Sequence, residues 1–292
     1  MRIDLHTHST ASDGTLSPAD VVIEAARAGL DVVALTDHDS AAGWAEAELA
    51  AEAAGIRLVP GVEVSTLLGG RGVHVLAYLA DVGYPPLAAE LAALLAGRSG
   101  RLPQMVERLV AAGVDITADE VRAQAGGSPA IGRPHVADVL VAKGVVGDRA
   151  EAFATWLGPG GPGYVARYGT PTEVMVRLIT DAGGVAVVAH PWGRGSRRVL
   201  DAAGLARLRD HGLAGIEVEH EDHGPEDRAA LHALATELDL VPTGSSDFHG
   251  AGKVGHALGC NLTAPAAFER LLGLAAANAT ASGRPASGAA AR

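Results

Sequence analysis

The chain repeats one pattern from its first residues onward: a short apolar run is followed at once by His, Asp or Glu. In the opening stretch, Ile3 and Leu5 alternate with polar neighbours, which predicts a half-buried strand ending in His6-Thr7-His8. Because alternate residues of a strand point the same way, the two imidazoles can bind one metal ion. Asp13 follows in a loop and can reach the same cavity. Taken alone, this stretch fits a strand with two surface histidines equally well.

The segments between the apolar runs predict helices, so the chain begins in a βαβα order. Ser17 and Pro18 predict a helix start, since Ser caps helices and Pro suits their first position. The apolar run from Val32 to Leu35 is typical of a buried parallel strand. It is followed by the motif TDHD, and Ser40 predicts the start of the next helix.

A third strand, from Leu58 to Val64, carries Glu63 among apolar residues. An unpaired charge there would cost several kcal/mol, roughly, so a metal ion or an Arg partner is expected. Gly69 to Gly72 predicts a hairpin turn, and Val73 to Tyr78 returns as a strand. An antiparallel return places His74 at the same end of the sheet as Glu63.

Strand signals disappear between about Pro85 and Gly163, where only helical segments are predicted. We interpret residues 99–166 as a helical insertion between two parts of an α/β domain. Within it, Arg133 and His135 flank a helix start, and guanidinium and helix N–H groups both suit phosphate. A structural role, in which Arg133 pairs with an acid, is the simpler interpretation of these residues alone.

The α/β order returns after the insertion. Thr170 to Glu173 reads as a capping box, followed by a helix. Three further strands are predicted, at residues 185–189, 215–218 and 240–243, and the first and last lead into His190 and into Asp247 and His249. We therefore expect an α/β domain in two parts, residues 1–98 and 167–275, and a disordered tail at residues 276–292, where small and polar residues predominate.

The composition limits which kinds of molecule the chain is expected to bind. The formal net charge of −11 argues against a broad nucleic-acid surface, which needs many Lys and Arg side chains. An anionic substrate must then be held locally, by arginines or by metal ions. The one cysteine, Cys260, fits a reducing cytoplasm, and no apolar run predicts a membrane span or a secretory signal.

Nine side chains of the metal-binding type lie at or near the ends of predicted strands. In parallel barrels and sheets the active site gathers at the carboxyl ends of the strands. Each residue has a structural explanation by itself, but their common position predicts a polynuclear metal centre. The nine are His6, His8, Asp13, His38, Glu63, His74, His190, Asp247 and His249.

The motifs LHTHSTASDG, TDHD, GVEVS, GVHVLAY, AHP and SSDFHG closely resemble those of the polymerase and histidinol phosphatase (PHP) family of metal-dependent phosphoesterases. The resemblance runs from Met1 to about Leu274. The insertion's IGRPHVADVL resembles one branch, which contains nucleoside 3′,5′-bisphosphate phosphatases, also described as 5′-to-3′ exoribonucleases acting on short RNA ends. The resemblance implies an α/β fold, a distorted (β/α)7 barrel with a helical insertion domain, and a trinuclear metal centre.

Carried over residue by residue, the resemblance assigns each ligand to a metal. It implies that the first metal is held by His6, His8, Glu63 and Asp247, the second by Asp13, His38 and His249, and the third by Glu63 as a bridge with His74 and His190. It further implies substrate contacts at Arg133 and His135, and at Asp81 and Tyr84.

Imidazole and carboxylate ligands without thiolate suit Mn, Fe or Zn. Clustered dications offset substrate charge and lower the pKa of bound water, so a hydroxide held by His6, His8, Asp13, His38, Glu63, Asp247 and His249 is expected to attack phosphorus. No protein nucleophile is then needed. Asp37 can be an outer acceptor that fixes an imidazole tautomer, and a helix-capping role is an equal alternative.

Three functions compete at this point. The favoured one is a phosphatase of nucleoside 3′,5′-bisphosphates, acting also on 5′-phosphorylated short RNA ends. The second is another phosphatase of the family, such as a histidinol-phosphate enzyme, which keeps the metals but changes the pocket. The third is a non-catalytic binding module, whose mark would be lost ligands, and the ligand set here is complete.

Overall fold

The computed structural model describes residues 1–284, and its centre is a sheet of eight strands that nearly closes into a barrel. The strands are β1 (Ile3–Asp4), β2 (Val32–Leu35), β3 (Arg57–Leu68), β4 (Arg71–Tyr78), β5 (Thr170–Pro171), β6 (Val185–Val188), β7 (Leu213–Glu219) and β8 (Val241–Gly244). Their spatial order is β1-β2-β3-β4-β6-β7-β8, with β5 paired to β3. A parallel bridge between Thr7 and Phe248 joins the two ends. The predicted α/β class and seven-strand barrel are confirmed, and β5 is an additional short strand.

One strand of the barrel runs against the others. β1, β2 and β3 are mutually parallel, as are β6, β7 and β8, whereas β4 is antiparallel to both β3 and β6. The hairpin between β3 and β4 turns at Gly69 and Gly70, whose φ angles of 55° and 77° suit glycine. Because of this reversal, the first half of β4, with His74, lies where the parallel strands end. The predicted antiparallel return is confirmed.

Eleven α-helices are formed by the described residues. They are α1 (Pro18–Arg27), α2 (Trp44–Ala54), α3 (Pro85–Gly100), α4 (Leu102–Ala111), α5 (Ala118–Gln124), α6 (Arg133–Ala142), α7 (Arg149–Ala152), α8 (Thr172–Asp181), α9 (Ala202–Asp210), α10 (Pro225–Glu237) and α11 (Pro265–Ser282), and a π-helical turn, Phe153–Leu157, follows α7. None of them combines the length and apolar character needed to cross a bilayer. The predicted cap of α1 is formed, since the Ser17 hydroxyl accepts the N–H of Asp20.

One predicted helix start and one predicted capping box are wrong, because tertiary contacts use the residues differently, although helix α8 itself is present. Ser40 does not begin α2; its hydroxyl accepts the N–H of Ala42 in a turn, and the helix begins at Trp44. Thr170 does not close a capping box, because it belongs to β5 and pairs with β3. The hydroxyl of Thr172, the first residue of α8, bonds to that of Thr66 instead.

The expectation of disorder from residue 276 is also wrong for its first part. Helix α11 continues to Ser282, and Ala275 and Ala279 are buried on its packed face. Ala has the highest helix propensity, and its small side chain allows close packing against the sheet. Gly283, with φ of 65°, ends the helix. Residues 285–292 of the predicted tail lie outside the described part of the chain.

Helices α4 to α7 surround an apolar cluster of their own. Leu109, Val121, Leu140 and Leu157 are each fully buried there. The segment contacts the loop after β1, since Arg149 of α7 donates to the carbonyl of Asp13 at 3.0 Å and the Ser128 hydroxyl donates to the carbonyl of Ser12 at 2.9 Å. The division into a two-part barrel and an insertion at residues 99–166 stays a prediction.

Candidate metal centre

The structure brings all nine predicted ligand side chains together at one end of the barrel. His74 is partly exposed and the other eight are buried. The ladder geometry explains their convergence: His38 pairs with Glu63 in a parallel bridge beyond the end of β2, and Glu63 lies opposite Leu76 of β4. His190 follows β6, and Asp247 follows β8.

Four donor atoms, which we call the first donor set, surround one point. His6 Nε2 and His8 Nε2 are 3.0 Å apart. Glu63 Oε2 lies 3.5 and 3.3 Å from these two nitrogens, and Asp247 Oδ1 lies 3.5 and 3.4 Å from them. A tetrahedral site with bonds of about 2.0–2.1 Å has ligand–ligand distances of about 3.3 Å. The spacings of His6, His8 and Asp247 therefore fit one divalent cation, and Glu63 Oε2 lies next to both imidazole nitrogens.

Two further sets share or adjoin these ligands. In the second donor set, the two oxygens of Asp13 lie 3.4 Å from His249 Nε2 and 3.6 Å from His38 Nε2. In the third, Glu63 Oε1 lies 2.6 Å from His74 Nδ1 and 3.1 Å from His190 Nε2. One oxygen of Glu63 therefore faces the first set and the other faces the third, as in a bridging carboxylate.

The pocket is strongly anionic. Burial by itself would raise the pKa of Asp13, Glu63 and Asp247, but neighbouring histidines, and Lys253 beside Asp247, hold each pKa well below its ordinary value. Burial lowers the pKa of His8, yet hydrogen bonds to Asp247 and Glu63 outweigh it and raise that pKa to about 9. Three ionised carboxylates in a buried pocket favour the binding of cations.

Backbone strain is concentrated at the same place. Among the described residues, five non-glycine residues have positive φ, and three of them, Asp39 (56°), His190 (29°) and Asp247 (51°), follow strands at this end of the barrel. Such conformations cost about 1–3 kcal/mol each and persist where surrounding contacts impose them. At His190 and Asp247 these conformations direct ligand side chains into the pocket, whereas Asp39 pairs with Arg98.

Asp37 contacts an imidazole only indirectly. Its carboxylate accepts hydrogen bonds from the hydroxyls of Ser9 and Ser12, each at 2.6 Å. The Ser12 hydroxyl lies 3.3 Å from His8 Nδ1. Ser12 therefore lies between Asp37 and His8, and the helix-capping alternative fails because α2 begins only at Trp44.

Sequence reasoning missed Glu217, which is 1% exposed in the middle of β7. Its Oε1 lies 3.2 Å from His6 Nδ1, and its Oε2 accepts the N–H of His190 at 2.7 Å. The signal was available, because Glu217 is a carboxylate between apolar strand residues, as Glu63 is.

A second cluster missed from the sequence lies behind Asp247. Oδ2 of Asp247 is 3.3 Å from His220 Nε2 and 2.5 Å from Lys253 Nζ, and the ring of His256 adjoins that of His220. These imidazoles and Asp247 have metal-ligand spacing. Since an ammonium already neutralises this oxygen, the cluster is better suited to holding Asp247 than to a further metal.

The predicted substrate contacts in the insertion lie close to the pocket. His135 is buried, and its Nδ1 accepts the N–H of Gly132 at 3.1 Å, while Asp13 is near enough to influence its pKa, which burial lowers. Arg133 donates to the carbonyl of Leu157 at 3.1 Å, and its guanidinium lies 5.3 Å from the ring centre of Phe153.

Arg133 belongs to a group of four arginines, which we call the arginine cluster: Arg98, Arg101, Arg133 and Arg167. Burial, with the charges of Arg133 and Arg98, lowers the pKa of Arg101 to about 9. Arg101 is 6% exposed, and its Nε has no hydrogen-bond partner among the described residues. Arg167 Nη2 lies 3.2 Å from His74 Nε2 and so connects the cluster to the third donor set. Sequence reasoning found only Arg133, since these residues come from separate elements.

Asp81 and Tyr84 lie away from the pocket, so the prediction that they contact substrate is wrong. Asp81 follows β4 at the end of the barrel where β6 begins, and its N–H donates to Ala182. Its carboxylate pairs with Arg284 at 2.9 Å, and the same guanidinium lies 4.1 Å from the ring centre of Tyr84. Because β4 is antiparallel, the residues after it are carried away from the pocket.

Comparison with known proteins agrees with this geometry. A sequence profile of the PHP domain matches residues 4–85. The chain is 38% identical over 260 residues to a 3′,5′-nucleoside bisphosphate phosphatase of Chromobacterium violaceum, covering 88% of this chain and 90% of the relative. It is 36% identical over 253 residues to a 5′-3′ exoribonuclease of Haemophilus influenzae, covering 85% and 90% of the two chains.

A solved structure shares the complete architecture. The crystal structure of a protein described as a metal-dependent phosphoesterase, from Bifidobacterium adolescentis, has a TM-score of 0.89 and 38% sequence identity, and the match covers 93% of this chain and 96% of that one. Identity at this level over nearly the whole length, together with the donor sets at the barrel end, shows that the chain belongs to the PHP family of metal-dependent phosphoesterases.

Proposed function

We propose that this protein hydrolyses the 3′-phosphate of nucleoside 3′,5′-bisphosphates at a trinuclear metal centre. The observation that carries the proposal is the arginine cluster beside the donor sets, with Arg101 buried and its Nε unpartnered among the described residues. A nucleoside 3′,5′-bisphosphate has one phosphate for the donor sets and one for the arginine cluster. The name of the Chromobacterium relative supports the same substrate class.

The proposal assigns the donor sets to three divalent ions, of Mn, Fe or Zn. The first set is His6, His8, Glu63 and Asp247, the second is Asp13, His38 and His249, and the third is Glu63, His74 and His190. When bound, such ions supply Lewis acidity, which polarises a phosphoryl oxygen and makes a water molecule more acidic. The role of the chain is to hold the ligands in place and to orient the ester.

The arginine cluster is assigned to the 5′-phosphate. A guanidinium binds phosphate with two parallel hydrogen bonds, and Arg101 has donors for that purpose in a buried position. Of the four arginines, Arg98 is paired with a carboxylate, that of Asp39. The surplus positive charge offsets the net charge of −11 locally, so an anion that the whole molecule repels is attracted here.

The same cluster disfavours histidinol phosphate. That substrate carries a cationic amine in place of a second anion, and the amine would meet several guanidinium groups. Like charges in a partly buried site cost free energy. A non-catalytic module is disfavoured by the complete set of nine ligands.

A second candidate function uses the same site. The 5′-phosphate of a short RNA end presents the same group to the arginine cluster as a 5′-phosphorylated mononucleotide does. The Haemophilus relative is named a 5′-3′ exoribonuclease. Comparing kcat/KM for adenosine 3′,5′-bisphosphate and for a 5′-phosphorylated trinucleotide separates the two functions.

The test of the proposal is the loss of 5′-phosphate recognition without loss of hydrolysis. We expect Arg101→Met to lower kcat/KM for adenosine 3′,5′-bisphosphate by about tenfold or more, since a charge-assisted hydrogen bond contributes about 1.5–3 kcal/mol. Arg133→Ala should also lower kcat/KM for adenosine 3′,5′-bisphosphate. Hydrolysis of p-nitrophenyl phosphate, which has no second phosphate, should change little.

The matched control is Arg122→Met, which changes an exposed arginine of α5 that pairs with Asp119. It should leave both substrates unaffected. If Arg101→Met weakens both substrates equally, the cluster serves the reacting phosphate or the fold, and the assignment to a second phosphate fails. Metal analysis of the purified protein tests the three-ion assignment separately.

A further inference from the structure

Glu217 connects three strands at the metal-binding end of the barrel. It lies in β7, where the register with β8 shifts between Glu217 and Glu219, and its carboxylate is directed into the barrel interior. Oε1 accepts the hydroxyl of Ser245, which follows β8, and lies 3.2 Å from Nδ1 of His6, which follows β1. Oε2 accepts the backbone N–H of His190, which follows β6, at 2.7 Å.

The contact with His6 determines which ring nitrogen faces the first donor set. A carboxylate at Nδ1 accepts a hydrogen bond from Nδ1–H, so the proton of the neutral ring stays on Nδ1 and the lone pair lies on Nε2. Nε2 is the atom that lies 3.0 Å from His8 Nε2 and 3.5 Å from the oxygens of Glu63 and Asp247. Glu217 therefore holds His6 in the tautomer that can bind a metal there.

The contact with His190 acts on the backbone. His190 has a φ of 29°, a conformation that a non-glycine residue adopts only where other contacts hold it. The bond from its N–H to Glu217 is one such contact. In this conformation the imidazole Nε2 lies 3.1 Å from Glu63 Oε1, in the third donor set.

Within residues 1–284, the hydrogen bonds of Glu217 reach the first and third donor sets and not the second. Asp13 lies between His38 and His249, the Nδ1 of His249 lies 2.9 Å from the carbonyl of Asp247, and the Nδ1 of His38 lies 2.9 Å from Glu63 Oε2. The effect of Glu217 on the metal centre is thus expected at two of the three sets.

We propose that Glu217 is a positioning residue that couples the first and third metal positions, by fixing the tautomer of His6 and the backbone of His190 with one carboxylate. This inference rests on the proposed trinuclear centre. It adds that the first and third metal positions both depend on Glu217, whereas the second position does not.

The test is zinc binding by the full-length protein, measured by competition with a chromophoric chelator. Glu217→Gln keeps the shape but has a single acceptor oxygen, which cannot serve both His6 and His190, and it lacks the negative charge that strengthens the remaining hydrogen bond. Loss of such an outer partner typically weakens metal binding 10- to 100-fold. We expect two of the three zinc ions to weaken by roughly this factor, and the third to keep its wild-type affinity.

The matched control is Glu219→Gln, on the same strand. Glu219 is bonded to Arg228 and His232 and contacts no predicted ligand side chain. It should leave all three zinc affinities unchanged. A general weakening of the fold would lower all three affinities together, so the selective loss of two distinguishes positioning from a structural role.

A second measurement needs no variant. In the zinc-loaded wild-type protein, ¹⁵N-histidine NMR should show His6 bound through Nε2, with a Nδ1–H proton protected from exchange. The inference is overturned if His6 is bound through Nδ1, if Glu217→Gln matches the Glu219→Gln control, or if all three affinities fall equally. Failure of the wild-type protein to bind zinc would instead contradict the proposed metal centre itself.

Discussion

At the scale of single residues, the metal centre depends on side chains whose two donor atoms face different neighbours. Glu63 offers one oxygen to His6 and His8 and the other to His74 and His190. His38 does the same with its ring, since Nδ1 lies 2.9 Å from Glu63 Oε2 and Nε2 lies 3.6 Å from Asp13. Such shared residues are where substitution has the largest effect.

Replacement of His38 by Ala should therefore abolish hydrolysis without unfolding the protein. The loss in kcat/KM should exceed the roughly 100-fold effect typical of outer partners, since a direct ligand is removed. Phosphate release measures the activity, and circular dichroism measures the fold. The matched control is His232→Ala, on the exposed side of α10, which should retain full activity. Wild-type turnover by the His38 variant would contradict the assignment.

At the scale of elements, helix α3 is joined to the barrel by a buried ion pair. Arg98 Nε donates to Asp39 at 2.5 Å, and Arg98 Nη2 donates to Ser65 at 2.8 Å. Asp39 also accepts the N–H of Ser65. Burial raises the pKa of Asp39, but Arg98 and then Arg167 outweigh it and hold that pKa below its ordinary value of 3.8.

Arg98→Met should lower the free energy of unfolding by about 3 kcal/mol, because it leaves a buried carboxylate without its cation. The control Arg122→Met removes an exposed pair and should cost under about 1 kcal/mol. Denaturant unfolding measures both. Because the folded-state pKa of Asp39 is lowered, its stabilisation is present above pH 3.8 and is lost as pH falls through the lower folded-state pKa. The difference in free energy of unfolding between wild type and Arg98→Met should therefore shrink in acid. A difference that stays constant with pH would contradict this role of Arg98.

At the scale of the whole molecule, the barrel concentrates negative charge in a protein that is already anionic. Asp13, Glu63, Glu217 and Asp247 are all buried at one end, and the net charge is −11. Bound cations would relieve this repulsion, so metal binding and folding stability should be linked.

Addition of Zn²⁺ or Mn²⁺ should raise the thermal stability of the metal-free protein. At a free concentration of about 100 times the dissociation constant, each occupied site adds about 2.7 kcal/mol to the free energy of unfolding. Differential scanning calorimetry, with a chelator as the reference condition, measures the effect. The His38→Ala variant should respond less than wild type. A melting temperature that metal and chelator leave unchanged would argue against a metal centre.

The sequence by itself determined the α/β order and the nine candidate ligands, and the barrel was predicted from the resemblance of its motifs to the PHP family. Short apolar runs, strand alternation and the residues that follow each run are local properties, and parallel strands place their ends together whatever lies between them. His6, His190 and Asp247 could therefore be predicted to converge although they are far apart in the chain.

Only the tertiary structure decided which other charged residues join them. Arg98 and Arg133 belong to helices α3 and α6, whereas Arg101 and Arg167 lie in connecting segments, and no local pattern indicates that their side chains meet. The antiparallel direction of β4 carries Asp81 to the opposite end of the barrel, where it pairs with Arg284 after helix α11. Side-chain contacts between distant segments depend on helix packing and strand direction, which local sequence periodicity does not encode.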